Sequence, residues 1–333
     1  MKIRELVFSA LVLAACGGSQ TQQQPQPPPG YYPPPQQGYY PPPGYPPPPG
    51  YPQQPQQPPP QATRPMLAPL TAPMWPTEAK AVLAEQISHL DAGNMAKVQG
   101  MPLQIDPDPT QVNAYATCTD SGSPFVAVTE GLLEAVDGIA QTRATDELFG
   151  TQTYTAYTSA VMPGLLQPRG RAALPPGIIP AQYLNDPRRL SREHEMWDDI
   201  VAFTVGHELS HHYLGHTGCK GTVGPLDLLG GWRVLTQVAQ PFNQVNENLA
   251  DQNGCWNTLN TGIARAPNYR WSEKGGLMLL DFFARLEQAA GLTPNILNPN
   301  SYLLSHPNSP FRAGLVQTAA NVWYSQHPNV PRQ

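Results

Sequence analysis

Apolar residues recur at helical spacing in several stretches of this chain. Ala79, Val82, Leu83, Ile87 and Leu90 form one stripe and predict an opening helix over 77–90. Trp197, Ile200, Val201, Val205 and Leu209 form a second stripe and predict a core-facing helix, with Gly218 as its stop signal. Residues 228–238 and 275–288 read as two further helices. Between them, 162–190 is rich in Pro, Gly and Arg with little periodicity. It reads as a long loop, a lid or a cleft wall. The whole pattern predicts a helix-rich α+β domain with a small sheet.

The second stripe carries chemistry. His207-Glu208-Leu209-Ser210-His211 is an H-E-x-x-H motif inside the expected helix. Histidines four apart lie on one helical face, about 5–6 Å apart at Cβ, so both imidazoles reach one zinc ion. Glu208 lies one residue further round, where its carboxylate can deprotonate a water held by that ion. A third ligand is expected from Asn246-Glu247-Asn248-Leu249-Ala250-Asp251. Glu247 completes a His2Glu set, and Asp251, four residues on, can accept the free N–H of a ligand histidine. Position 217 is Thr, which removes the alternative third ligand ten residues after His207. His216 lies about half a turn off the ligand face and is expected to support the site or sit at the surface.

Four segments, in order, resemble the M48 family of gluzincin metallopeptidases. They are Asn113-Ala114-Tyr115-Ala116 with Val126 to Leu133, the motif from His207 to His211 with His216, Glu247-Asn248-Leu249-Ala250-Asp251, and Ser305-His306-Pro307 with Arg312. The resemblance implies a zincin-like domain with one zinc per chain. It also implies a small sheet whose edge strand lines the active-site cleft. Asn113, Ala114, Val126 and Val128 would hold an extended substrate by pairing its backbone to that edge. His306 would be a transition-state donor or a movable gate ligand, although a turn residue before Pro307 is the plainer reading. Arg312 would support the site or act as a structural ion-pair partner. The chain departs from the family at Thr119-Asp120-Ser121-Gly122-Ser123-Pro124, where P-G-G is usual, and in the 36 residues from His211 to Glu247.

Composition divides the chain. Lys2 and Arg4 precede an apolar run from Leu6 to Ala15, and Leu13-Ala14-Ala15-Cys16 resembles a bacterial lipobox. Residues 1–15 are therefore expected to be a lipoprotein signal peptide, with Cys16 lipidated and Gly17 directing export to the outer membrane. Residues 21–60 hold only Pro, Gln, Gly, Tyr and Thr, 19 of them Pro. No core can form from these, and polyproline geometry extends the stretch to roughly 100 Å. Residues 16–75 read as a tether, with partner or cell-wall contact as the sharper alternative, and 76–333 as the catalytic domain. No further apolar run is long enough to span a bilayer.

The net charge of −5, without a basic cluster, argues against nucleic-acid binding. Besides Cys16 there are Cys118, Cys219 and Cys255, and an oxidising envelope favours one disulfide and one free thiol. Cys219 and Cys255 each follow a ligand by eight residues, which makes them the expected pair, although spacing does not dictate connectivity. The expectation is thus a zinc endopeptidase of misfolded or misassembled envelope proteins, with its catalytic domain in the periplasm. The rival is a non-catalytic zinc lipoprotein acting as chaperone or scaffold. Cell-wall hydrolysis is a third reading.

Overall fold

α5 (Pro187–Tyr213) organises the domain. Asp186 caps it by accepting from the Arg188 N–H at 2.9 Å, and Pro187 supplies a pre-set first position. The helix spans roughly 40 Å. From Met196 to His211 every residue is buried. The sequence reads as one apolar stripe, but the structure covers the helix on all sides, so its charged residues need partners within the protein. The helix ends at Tyr213, with Gly215 at φ 80°, several residues before the expected stop at Gly218. Lys97 Nζ donates to the Tyr213 carbonyl at 2.9 Å and caps this end.

The computed structural model describes residues 65–221, 223, 244–265, 271–291 and 308–332. The lipobox with Cys16, the Pro-rich stretch, the helix expected over 228–238, and His306 lie outside the described residues. α1 (Trp75–Ser88) and α2 (Ala92–Val98) precede a three-stranded sheet. α3 (Glu130–Phe149) and α4 (Thr153–Leu165) follow it, so part of the expected 162–190 loop is helical at both ends. After α5 come α6 (Gln244–Ala264), α7 (Lys274–Ala289) and α8 (Ser309–Gln326). α6, α3, α7 and α1 pack on α5. The architecture is helix-rich α+β. Among the described residues no helix is long and apolar enough to cross a membrane.

The sheet runs β1 (Leu103–Asp106), β3 (Pro124–Thr129), β2 (Ala114–Cys118). β3 pairs parallel with β1 and antiparallel with β2. Val126 faces Leu103 on one side and Ala116 on the other, and Val128 faces Ile105 and Ala114. This corrects the sequence expectation: Val126 and Val128 lie on the central strand, whose backbone is paired on both sides. The edge strand that packs on α5 is β2, which begins at Ala114 just after Asn113.

The cysteine expectation is also corrected. The disulfide joins Cys118 to Cys219, and Cys255 is a buried free thiol. Because α5 stops early, Cys219 sits in a loop that turns back to the sheet, where the Gly221 N–H donates to the Gly122 carbonyl at 2.8 Å. Cys255 instead faces α8, with Sγ 3.7 Å from the Val316 carbonyl, and burial pushes its thiol pKa up.

Candidate metal centre

Two glycines set the crossing of the ligand helices. Gly206 precedes His207 on α5, and Gly254 lies three residues after Asp251 on α6. A Cβ on Gly254 would lie 2.8 Å from the His207 backbone nitrogen, and one on Gly206 would lie 3.3 Å from the Gly254 carbonyl. The two backbones therefore touch beside His207. A polar cluster fastens the same crossing. Asn257 on α6 donates to the Tyr213 hydroxyl at 2.9 Å, and Ser210 lies 2.8 Å from that hydroxyl.

This crossing brings three donors together. His207 Nε2 and His211 Nε2 are 3.2 Å apart. Glu247 Oε2 lies 3.4 Å from His207 Nε2, and its Oε1 lies 3.4 Å from His211 Nε2. All three residues are buried, and their ligand atoms lie within 4.8 Å of one another. Glu208 is buried beside them, with Oε1 4.0 Å from His207 Nε2.

The surrounding groups orient this set. Asp251 Oδ1 lies 3.0 Å from His207 Nδ1, which holds the proton on that nitrogen and turns the Nε2 lone pair toward the cluster. Arg312 on α8, itself buried, grips Asp251 with two hydrogen bonds: Nε to Oδ2 at 2.8 Å and Nη2 to Oδ1 at 2.7 Å. Burial would raise the Asp251 pKa, yet the Arg312 charge holds it at about 2. Burial likewise opposes charge on His207, but Asp251 and Glu247 lift its pKa to about 10. The carboxylates around His207 thus favour a positive charge among the donors, whether a proton or a metal ion. Two imidazoles and a carboxylate, buried and convergent, with a carboxylate behind one imidazole, suit zinc.

His216 lies beside His211, with the two Nδ1 atoms 3.0 Å apart and the His216 N–H donating to the His211 carbonyl at 2.8 Å. It is not part of the convergent donor set. His212, which the sequence reading passed over, has Nε2 2.9 Å from the Phe125 carbonyl and pins α5 to β3. Burial lowers its pKa, so the ring is a neutral tie between helix and sheet. A second histidine directly after H-E-x-x-H was the available signal.

The model of peptidase family M48 matches residues 76–320. The chain belongs to that family. Membership implies zinc metallopeptidase activity on polypeptide substrates, and His207, His211 and Glu247 are the residues placed to hold the ion. No curated protein and no solved structure matched the chain.

Proposed function

We propose that this M48 peptidase is an endopeptidase of the bacterial cell envelope, anchored to the outer membrane through a lipid on Cys16. Its substrates are misfolded or misassembled envelope proteins. The observation that carries the catalytic part is the convergence of His207, His211 and Glu247 beside buried Glu208. When bound, zinc supplies a water of lowered pKa and polarises the scissile carbonyl. Glu208 takes the proton from the attacking water and delivers it to the leaving amine nitrogen. Asp251 keeps the His207 Nδ1 proton in place throughout, and Arg312 keeps Asp251 ionised. His306 is the candidate donor to the developing oxyanion.

The edge strand β2 supports extended substrate binding, with Asn113 and Ala114 at its start and its pairing to β3 on one side. An unfolded chain can add to such an edge, whereas a folded one rarely exposes a strand of its own. The lipobox, the Pro-rich stretch and the Cys118–Cys219 disulfide together support an oxidising, membrane-proximal compartment. The test is cleavage by the full chain of one outer-membrane β-barrel protein, offered unfolded and folded, with acyl labelling of wild type and Cys16→Ala alongside. Labelling should be lost in Cys16→Ala, and only the unfolded form should be cleaved. Equal cleavage of both forms would overturn the substrate class, and unchanged labelling would overturn the anchor.

A further inference from the structure

A second set of convergent donors lies upstream on α5, outside the centre described above. Glu78 is on the first turn of α1, and His194 and Asp198 are four apart on α5. His194 Nε2 lies 3.8 Å from Glu78 Oε1 and 3.7 Å from Asp198 Oδ1. The three ligand atoms lie within 4.8 Å of one another. Asp198 is nine residues before His207, roughly 13 Å along the helix, and the two sets share no residue.

The hydrogen bonds around this set do not account for it. His194 Nδ1 lies 2.7 Å from the Ala68 carbonyl, which only accepts, so Nδ1 carries a proton and Nε2 is the nitrogen that faces Glu78 and Asp198. Two buried atoms, His194 Nε2 and Asp198 Oδ1, have no hydrogen-bond partner among the described residues. Asp198 is 2% exposed and His194 9%. Gaps of 3.7 and 3.8 Å are too long for an N–H···O bond. They are slightly longer than the spacing of two tetrahedral ligands on one ion, roughly 3.3–3.6 Å for bonds of 2.0–2.2 Å.

One cationic side chain, Arg265, also faces the set. Arg265, directly after α6, lies 3.5 Å from the other Asp198 oxygen, Oδ2, and donates from Nε to Glu85 at 2.8 Å. Its guanidinium also covers the Trp271 ring. Arg265 thus engages Asp198 through Oδ2, while Oδ1 is the oxygen nearest His194 Nε2.

We propose that Glu78, His194 and Asp198 hold a second divalent cation, a structural zinc that fastens α1 to α5. One imidazole and two carboxylates suit zinc among the borderline transition cations, and a hydrogen-bonded carbonyl behind the imidazole is the usual arrangement around such a ligand. The site also touches the residues just before α1. The Leu67 N–H donates to Ser191 Oγ at 2.9 Å, and Ala68 holds His194 directly. The ion would lock those residues to the helix that carries the catalytic motif.

The test is zinc per chain, by mass spectrometry of the purified full-length protein after equilibration with zinc and removal of free metal. Wild type, Glu247→Gln, Asp198→Asn, Glu78→Gln and the double variant Glu247→Gln/Glu78→Gln are compared. The expected counts are two, one, one, one and none. Zinc should raise the Tm of Glu247→Gln but leave that of the double variant unmoved. Glu78→Gln, at the most exposed of the three ligands, gives the same reading if Asp198→Asn fails to fold. One zinc in wild type, lost in Glu247→Gln and kept in Glu78→Gln, overturns this site and leaves the catalytic one standing. One zinc kept in Glu247→Gln and lost in Glu78→Gln does the reverse.

Discussion

Residue by residue, the metal centre depends on a relay: Arg312 holds Asp251, Asp251 holds His207, and His207 presents Nε2. Asp251→Asn should weaken zinc binding by about 10–100-fold while the three ligands remain, as titration with a competing chelator would read out. Arg312→Ala leaves a buried carboxylate uncompensated and should cost about 3–5 kcal/mol in denaturant unfolding. A loss below about 1 kcal/mol would show that the pair is not buried as described. Asp137 on α3 gives a pH signature away from the centre. Burial lifts its pKa to about 6, against a smaller lowering by the Gln141 hydrogen bond. Folding therefore takes up a proton between about pH 4 and 6, and stability from this group is present at low pH and lost as pH rises through 6. Asp137→Asn should gain stability relative to wild type by on the order of 3 kcal/mol between pH 4 and 7. A pH-independent difference in unfolding free energy would contradict this.

The elements differ in how far they were legible. α1 and α7 expose one face, and their apolar stripes located them within a residue or two: 77–90 against Trp75–Ser88, and 275–288 against Lys274–Ala289. α5 buries all its faces, so Trp197 to Leu209 marked the helix but not its upstream reach to Pro187. Strand order is a long-range property. Nothing local to Val126 or Val128 distinguishes a central strand from an edge. His207, His211, Glu247 and Asp251 were legible because i,i+4 spacing is the geometry of a helical ligand pair. His194 and Asp198 have that spacing too, but Glu78 joins them from a distant helix. Gly206 and Gly254 carry no sign of what they touch. Gly254→Ala would place a Cβ 2.8 Å from the His207 nitrogen and push α6 from α5. It should cost about 1–3 kcal/mol and weaken zinc binding as well. A variant with native stability and native zinc affinity would remove the helix crossing from the account.

For the whole molecule, the disulfide between Cys118 and Cys219 closes a loop of sequence separation 101 and ties β2 to the loop after α5. Opening it with Cys118→Ser should destabilise by up to about 4–5 kcal/mol, read as a fall in Tm under non-reducing conditions. An unchanged Tm would place the two cysteines apart. Sequence spacing could not find this pair, because the end of α5 decides which element Cys219 meets. The fold, the disulfide and the relay all act on one outcome, a zinc ion beside Glu208. The most direct measurement of that outcome is zinc content together with casein cleavage, for wild type and Glu208→Gln side by side. Glu208→Gln should keep its zinc at the catalytic site and lose at least 100-fold in cleavage rate. Undiminished cleavage by Glu208→Gln, or a wild type that binds zinc only where Glu247→Gln does not disturb it, would contradict the account.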